Sequence, residues 1–387
     1  MDKIRVYHII TKLELGGAQG NTLHTVKYLN RDKFEPGLVC GPGGILDEEA
    51  KTVPNLYLHF VPSLIREIHP LKDISALFEL YKVLKKNMPV VVHTHSSKAG
   101  ILGRIAAWVA GVPVIVHTYH GFGFHDFQNP IVKVLYVLIE KFTSGFTDKL
   151  VTVAKDNIEK ALSSGIGKRE QYAVIRSGIP VGKYKGIVVD VIEEKKKLGL
   201  KPEDRVVTTI GPFKPQKNLV DMIKSAKLAS EKVGNIKYLF IGDGEQRGMI
   251  ESLIAELKLE NTVKLLGWRK DVGQLLKITD VFAMSSLWEG LPRSILEAMA
   301  CAKPVVAYAV DGVKEIVIPD KTGYLIEPKD YRTLAEKVVY LIQNNELAQQ
   351  YGTAGSELIN REYDIDYMVI QQEELYTDLV RQKWNTK

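Results

Sequence analysis

The stretch Ser286-Leu-Trp-Glu-Gly-Leu-Pro-Arg-Ser-Ile-Leu-Glu-Ala-Met-Ala-Cys-Ala-Lys-Pro-Val-Val-Ala307 decides the fold. It sets Glu289 and Glu297 eight positions apart, with the turn Gly290-Leu291-Pro292 after the first and a helix opening before the second. It closes on Lys303-Pro304 and a short β-branched run that reads as a strand. The order loop, helix, strand predicts Glu289 at the mouth of a βα loop. Glu297 is then expected about two turns into the following helix, facing the same cleft. Free backbone N–H groups between Leu291 and Ser294, with Arg293 among them, make an anion site at the helix start. Two acids around an anion site fit a ligand carrying both hydroxyls and a diphosphate.

Outward from this segment, apolar strand-like runs alternate with helical periods along the whole chain, the mark of parallel sheets with crossover helices. Ile4–Ile10, Leu38–Cys40, Tyr57–Val61, Val90–His93, Val114–Thr118, Lys149–Val153 and Ala173–Arg176 read as strands of a first half. Arg205–Ile210, Tyr238–Ile241, Val263–Leu265, Val281–Met284, Val305–Ala307 and Tyr324–Ile326 read as those of a second. A chain of 387 residues fits two domains. The expected fold class is α/β, with two doubly wound Rossmann-like domains facing a central cleft. The first covers 1–182 plus a returning helix at 364–384, and the second covers 183–363. Gly178-Ile-Pro-Val-Gly-Lys-Tyr-Lys-Gly186 reads as a hinge. Ligands of such folds bind at the carboxyl ends of the strands.

Composition is that of a soluble globular protein, and no apolar run approaches a membrane span. The N-terminus enters a strand at once, so no signal peptide is expected. Cys40 and Cys301 stand far apart without metal spacing and read as free thiols of a cytoplasmic protein. Residues 1–182 carry 22 Lys and Arg against 16 Asp and Glu, while 183–387 carry 30 of each. The positive excess, concentrated in 51–104, suits an anionic membrane surface or a polyanionic acceptor as well as a plain solvated lysine face.

The strand-end loops carry the remaining candidates. Gly16 and Gly17 open a helix after the first strand, where backbone can approach a phosphate. His120 follows the fifth strand in a glycine-rich loop; His93 and His117 read as in-sheet residues, and His95 ends the fourth strand. No Asp, Glu or Cys stands at ligand spacing from the histidines, so no metal is expected. Lys214 and Lys217 project from the loop after the first strand of the second half, where cations neutralise a departing diphosphate. Gly242, Gly244, Trp268 and Arg269 stand at two neighbouring strand ends with room for a planar base.

Together these residues resemble the retaining GT-B glycosyltransferases of family 4, whose pattern of two glutamates separated by seven residues is matched by Glu289 and Glu297 with the Glu-Ala-Met-Ala-Cys-Ala-Lys-Pro-Val-Val-Ala tail. The resemblance implies that Glu297 binds the ribose hydroxyls and that Glu289 holds donor-sugar hydroxyls near the reacting carbon. It also implies that Lys217 meets the phosphates, and His120 the donor sugar or the charge developing beside it. The catalytic set implied is Glu289, His120 and Lys217. One departure is Pro212, where the family usually has Arg; Lys214 or Arg293 is left to supply that charge. His95, Lys98, Phe124 and His125 are candidate acceptor contacts, and a Phe122/Phe124 loop suits a lipid-linked acceptor.

The expected reaction moves a sugar, from UDP first and GDP second, to a hydroxyl of a saccharide or lipid-linked saccharide in surface polysaccharide synthesis. It needs no cofactor and no nucleic acid, and it runs in the cytoplasm or on the inner membrane face. A UDP-sugar epimerase and a non-catalytic nucleotide-sugar sensor are the alternatives. Glu289 and Glu297 are not a nucleophile–acid pair, because one of them is assigned to ribose.

Overall fold

In the computed structural model, residues 3–124 and 127–385 are described. The chain divides into two compact units, Met1–Gly178 with Ile365–Lys387, and Ile179–Asp364. The chain passes between them at 178/179, the start of the stretch read as a hinge, and again at 364/365. The rest of that stretch is the one-turn helix Val181–Lys185 of the second unit.

The first unit is a seven-stranded parallel sheet in the order β3-β2-β1-β4-β5-β6-β7. Its strands are β1 (Ile4–Lys12), β2 (Phe34–Gly41), β3 (Tyr57–Phe60), β4 (Val91–His95), β5 (Val114–Tyr119), β6 (Lys149–Thr152) and β7 (Tyr172–Val174). Its helices are α1 (Gly17–Tyr28), α2 (Asp47–Lys51), α3 (Pro70–Asn87), α4 (Ser97–Ala110), α5 (Pro130–Ser144) and α6 (Asp156–Ser163). Val6, Ile9, Val92, Val114 and Val116 are fully or almost fully buried because parallel strands are covered on both faces, and so they read as unbroken apolar runs.

The second unit is a six-stranded parallel sheet, β10-β9-β8-β11-β12-β13. It comprises β8 (Arg205–Ile210), β9 (Ile236–Ile241), β10 (Val263–Leu265), β11 (Val281–Met284), β12 (Val305–Tyr308) and β13 (Gly323–Ile326). Its helices are α7 (Val181–Lys185), α8 (Val191–Lys197), α9 (Leu219–Lys232), α10 (Arg247–Glu256), α11 (Val272–Lys277), α12 (Arg293–Ala300), α13 (Val313–Ile316), α14 (Tyr331–Gln343) and α15 (Asn345–Leu358). The chain then returns to the first unit as α16 (Ile365–Asn385), whose Ile365, Met368, Val369, Tyr376 and Leu379 pack with Val6, Val91 and Val116.

Candidate functional site

In the second unit the loops after β8 and β11 are tied together. Leu287 N donates to Gln216 O at 2.9 Å, Gln216 Nε2 donates to Trp288 O at 2.8 Å, and the Ser285 hydroxyl reaches Lys217 O and Asn218 O at 3.0 Å each. This bracing brings the Lys217 ammonium into a close ion pair with the Glu289 carboxylate. Both side chains are largely buried, 12% and 9% exposed, so the pair is shielded from solvent screening. The Glu289 amide is fixed from the other side by the Asp311 carboxylate at 2.9 Å. Gly211, Lys217 and Ser286 line one crevice at the ends of β8 and β11, and the buried Ser286 hydroxyl finds no partner among the described residues.

Helix α12 begins at Arg293 behind Pro292, so Glu297 lies just over one turn into it rather than the two expected. The reason is that Gly290, Leu291 and Pro292 form a buried loop and not helix. Burial raises the Glu297 carboxyl above its usual range, against the pull of the Arg293 guanidinium and a hydrogen bond from Tyr184. Arg293 Nη2 stands 3.9 Å from that carboxylate, and its buried Nε is unpartnered among the described residues. Ser294 is half-buried in the first turn.

Gly242 and Gly244 pack the loop after β9 on the loop after β8. A Cβ on Gly242 would stand 2.0 Å from Gly211 O, and Gly242 sits at φ +137°, so only glycine fits there. Trp268 is 40% exposed, and the Arg269 guanidinium forks onto Asp271 at 2.8 and 2.6 Å. Lys214 is half-buried and starts the single 3-10 turn that carries Lys217.

The first unit holds a chain of imidazoles. Thr118 Oγ1 and His93 Nε2 are 2.6 Å apart, and His93 Nδ1 and Tyr376 Oη 2.6 Å; Tyr376 Oη lies 3.0 Å from Gln372 Oε1 and 3.5 Å from His8 Nε2. His8 Nδ1 meets His95 Nε2 at 2.9 Å, and His95 Nδ1 meets His120 Nε2 at 3.1 Å. Burial pushes His8 down to about 3 and His120 to about 4. It also holds His93 and His95 well below the usual histidine range, and a proton on any neighbouring imidazole would lower them further. All four are therefore neutral near pH 7, each with one N–H.

The direction of the chain then follows. Gln372 Oε1 can only accept, so it takes the single Tyr376 proton, and Tyr376 Oη accepts from His93 Nδ1–H and His8 Nε2–H. His8 Nδ1 is left to accept from His95 Nε2–H, and His95 Nδ1 to accept from His120 Nε2–H. His120 is fixed as the Nε2–H tautomer, with Nδ1 bare. That Nδ1 is buried and has no partner among the described residues, and the same crevice is lined by Asn21, whose amide is also unpartnered. His8, His93 and His95 offer ring nitrogens within 4.8 Å of one another, a grouping that could hold a metal ion. Both His93 nitrogens, however, are engaged by Tyr376 and Thr118. His117 is buried and bonded to Thr94 at 2.9 Å.

Gly16 and Gly17 are exposed at the start of α1, with an amide end free of acidic first-turn residues. Two acceptor-side expectations are corrected. Phe124 is 1% exposed and Phe122 8%, packed with Tyr119, Leu150 and Tyr172, because the loop turns its rings inward to fill the space beside β6. His95 is 2% exposed and spent within the imidazole chain. Lys98 is held by Asp73 at 2.6 Å. His125 lies outside the described residues. The sequence reading passed over His8, Tyr376 and Tyr184. Only His8 left a signal, as a polar residue inside the apolar run of β1, in register with His93.

Residues 190–358 match the glycosyl transferases group 1 family and residues 15–183 glycosyltransferase family 4. The chain is 33% identical over 98% of both sequences to the UDP-Gal:alpha-D-GlcNAc-diphosphoundecaprenol alpha-1,3-galactosyltransferase of Escherichia coli. It is 24% identical over 99% of both to the capsular polysaccharide biosynthesis glycosyltransferase CapM of Staphylococcus aureus. The Anabaena Alr3699/HepE structure in complex with UDP-glucose shares the fold with a TM-score of 0.82 at 22% identity, covering 97% of this chain and all of that one. The paired parallel sheets are those of the GT-B fold, and the chain belongs to the group 1, family 4 glycosyltransferases.

Proposed function

We propose that this glycosyltransferase moves a sugar from a UDP-sugar to a hydroxyl of a lipid-linked saccharide, with retention of the α configuration, at the inner face of the cell membrane. The observation that carries the reading is the buried Lys217–Glu289 pair at adjoining strand ends of the second unit. The printed activity of the Escherichia coli relative supports UDP and a diphospholipid acceptor. In the reaction the bond from the anomeric carbon to the diphosphate oxygen breaks and a bond to the acceptor oxygen forms. The acceptor proton passes to the leaving phosphate oxygen.

Lys217 and Arg293 oppose the charge of the departing UDP, with Lys214 nearby in sequence, and this answers the absence of Arg at Pro212. Glu289, relieved of Lys217 when the diphosphate takes the ammonium, accepts from donor-sugar hydroxyls. Glu297, oriented by Tyr184, accepts from the ribose. Gly242, Gly244 and Trp268 border the base. The bare Nδ1 of His120 accepts from a substrate hydroxyl. No step calls on a metal.

The test incubates the protein with UDP-galactose, UDP-glucose, UDP-N-acetylglucosamine or GDP-mannose, with and without a diphospholipid-linked N-acetylglucosamine. UDP release that needs the acceptor, and an α-linked product by NMR, are expected. Epimerised UDP-sugar formed without acceptor would instead make the protein an isomerase, and donor binding without turnover would make it a sensor.

A further inference from the structure

Helix α5 is built inside out. Its polar Glu140 points inward, where it meets Arg104 of α4 at 2.7 Å and accepts from the Tyr119 hydroxyl at 2.7 Å. Its apolar residues Ile131, Val134, Leu135, Leu138 and Phe142 are 56–79% exposed. Spaced three, four, seven and eleven from the first, they form one stripe along a fifteen-residue helix. Helix α3 repeats the pattern with Leu71, Ile74 and Phe78, 56–76% exposed. Between them α4 ends in exposed Trp108, whose ring stacks on Phe146 at 4.9 Å, and Phe146 meets Phe142 edge-on. So much apolar surface on one face of a unit marks an interaction site.

The charges around these stripes select the partner. Lys72, Lys82, Lys85, Lys86 and Lys141 are exposed on α3 and α5, and Lys82 lies over the Phe78 ring at 4.3 Å. The three acids of the three helices are already engaged: Asp73 by Lys98, Glu140 by Arg104, and Glu79 by the Ser63 and Ser75 hydroxyls. A second copy of this face would set lysines against lysines, whereas an anionic lipid surface offers acyl chains to the stripes and headgroups to the ammonium groups.

We propose that the α3–α5 face of the first unit is a docking surface for an anionic lipid bilayer. This displaces the Phe122/Phe124 loop as the lipid contact. The inference rests on the reading of a lipid-borne acceptor only for where a bilayer is met, so vesicle binding and sugar transfer are measured separately.

The test is co-flotation of the full chain with phosphatidylcholine vesicles, with and without phosphatidylglycerol. The wild type is expected to float with the anionic vesicles and to be released by salt. L135E/L138E should lose binding at least roughly tenfold, and K85Q/K86Q should lose roughly fivefold per lysine. All variants should keep the wild-type melting temperature and UDP affinity, since these side chains touch no part of the candidate site. No flotation of the folded, UDP-binding wild type overturns the proposal. So does a concentration-dependent dimer in sedimentation that L135E/L138E abolishes, because that would make the face a contact between copies.

Discussion

Replacing Tyr376 by Phe removes one oxygen that lies three hydrogen bonds from the His120 ring, and the structure predicts that the proton on His120 changes sides. In the wild type the Tyr376 hydroxyl accepts from His93 at 2.6 Å and His8 at 3.5 Å and donates to Gln372 at 3.0 Å. Without it, His93 can donate through Nε2 to Thr118, His8 through Nδ1 to His95, and His95 through Nδ1 to His120. Every imidazole then keeps a partner, at the cost of the reverse tautomer throughout. The stability cost is that of the lost hydrogen bonds, about 2–3 kcal/mol in all, or roughly 4–12 °C in Tm for a unit of this size. His120 Nδ1 becomes a donor where the proposed reaction needs an acceptor, which should lower kcat about 10- to 100-fold. Long-range ¹H–¹⁵N correlation spectra of the imidazoles read the tautomer directly. If His120 stays Nε2–H in the variant, or is Nδ1–H in the wild type, the relay does not set its state and the reasoning fails.

Lys217→Met should reduce turnover about 10²- to 10³-fold with a smaller change in KM, because the lost charge acts mainly on the departing diphosphate; a loss under threefold in steady-state transfer would remove Lys217 from the site. Glu140→Leu leaves the Arg104 guanidinium buried without its carboxylate and should cost about 3–5 kcal/mol, roughly 6–20 °C in Tm by calorimetry, while R104M/E140L should recover most of it. Acid should destabilise the protein early. His8, His93, His95, His117 and His120 have folded values below their unfolded ones, so as pH falls below about 6.5 the unfolded chain takes up protons that the native state refuses. Stability is then lost by up to about 1.4 kcal/mol per pH unit for each histidine, and a urea midpoint unchanged between about pH 7.5 and 5.5 would contradict their burial as neutral groups.

The strands were legible because buried parallel strands leave apolar runs that need no partner to be recognised: Arg205–Ile210, Val263–Leu265 and Val281–Met284 have the bounds read from the sequence. The strand–loop–helix order made Glu289 legible as a loop residue and Glu297 as a residue of the following helix, although Glu297 stands about one turn nearer the helix start than expected. What braces Glu297 and the imidazole chain was not. Tyr184 lies in a stretch whose Gly and Pro content reads as a hinge, and Tyr376 lies 283 positions from the His93 it holds. Nothing local encodes either contact. Helix α5 shows a different limit. Its period reveals an apolar stripe but not which way the stripe faces. A core that receives Glu140 against Arg104 reverses the usual direction, and the aromatic pair Phe122 and Phe124 turns inward instead.

Apart from the Arg104–Glu140 pair inside the first unit, the two units differ in the kind of polarity they bury at their strand ends, and this bears on what each does. The second unit concentrates formal charge at its strand ends in Lys217, Glu289, Arg293 and Glu297. The first buries a longer polar chain that carries no charge, because each imidazole is held neutral by burial. A neutral chain gives little to a leaving diphosphate, whose stabilisation needs cations or aligned amides aimed at it. It is suited to reading the direction of a hydroxyl, since a bare Nδ1 accepts a proton-bearing oxygen and is repelled by a phosphate oxygen. On that ground the anion falls to Lys217 and Arg293, and His120 to a sugar hydroxyl. His120→Asn, which keeps a hydrogen-bonding side chain but not the imidazole, should therefore impair transfer while leaving UDP affinity within about twofold. Loss of UDP binding in that variant would move His120 to the phosphates and break the division.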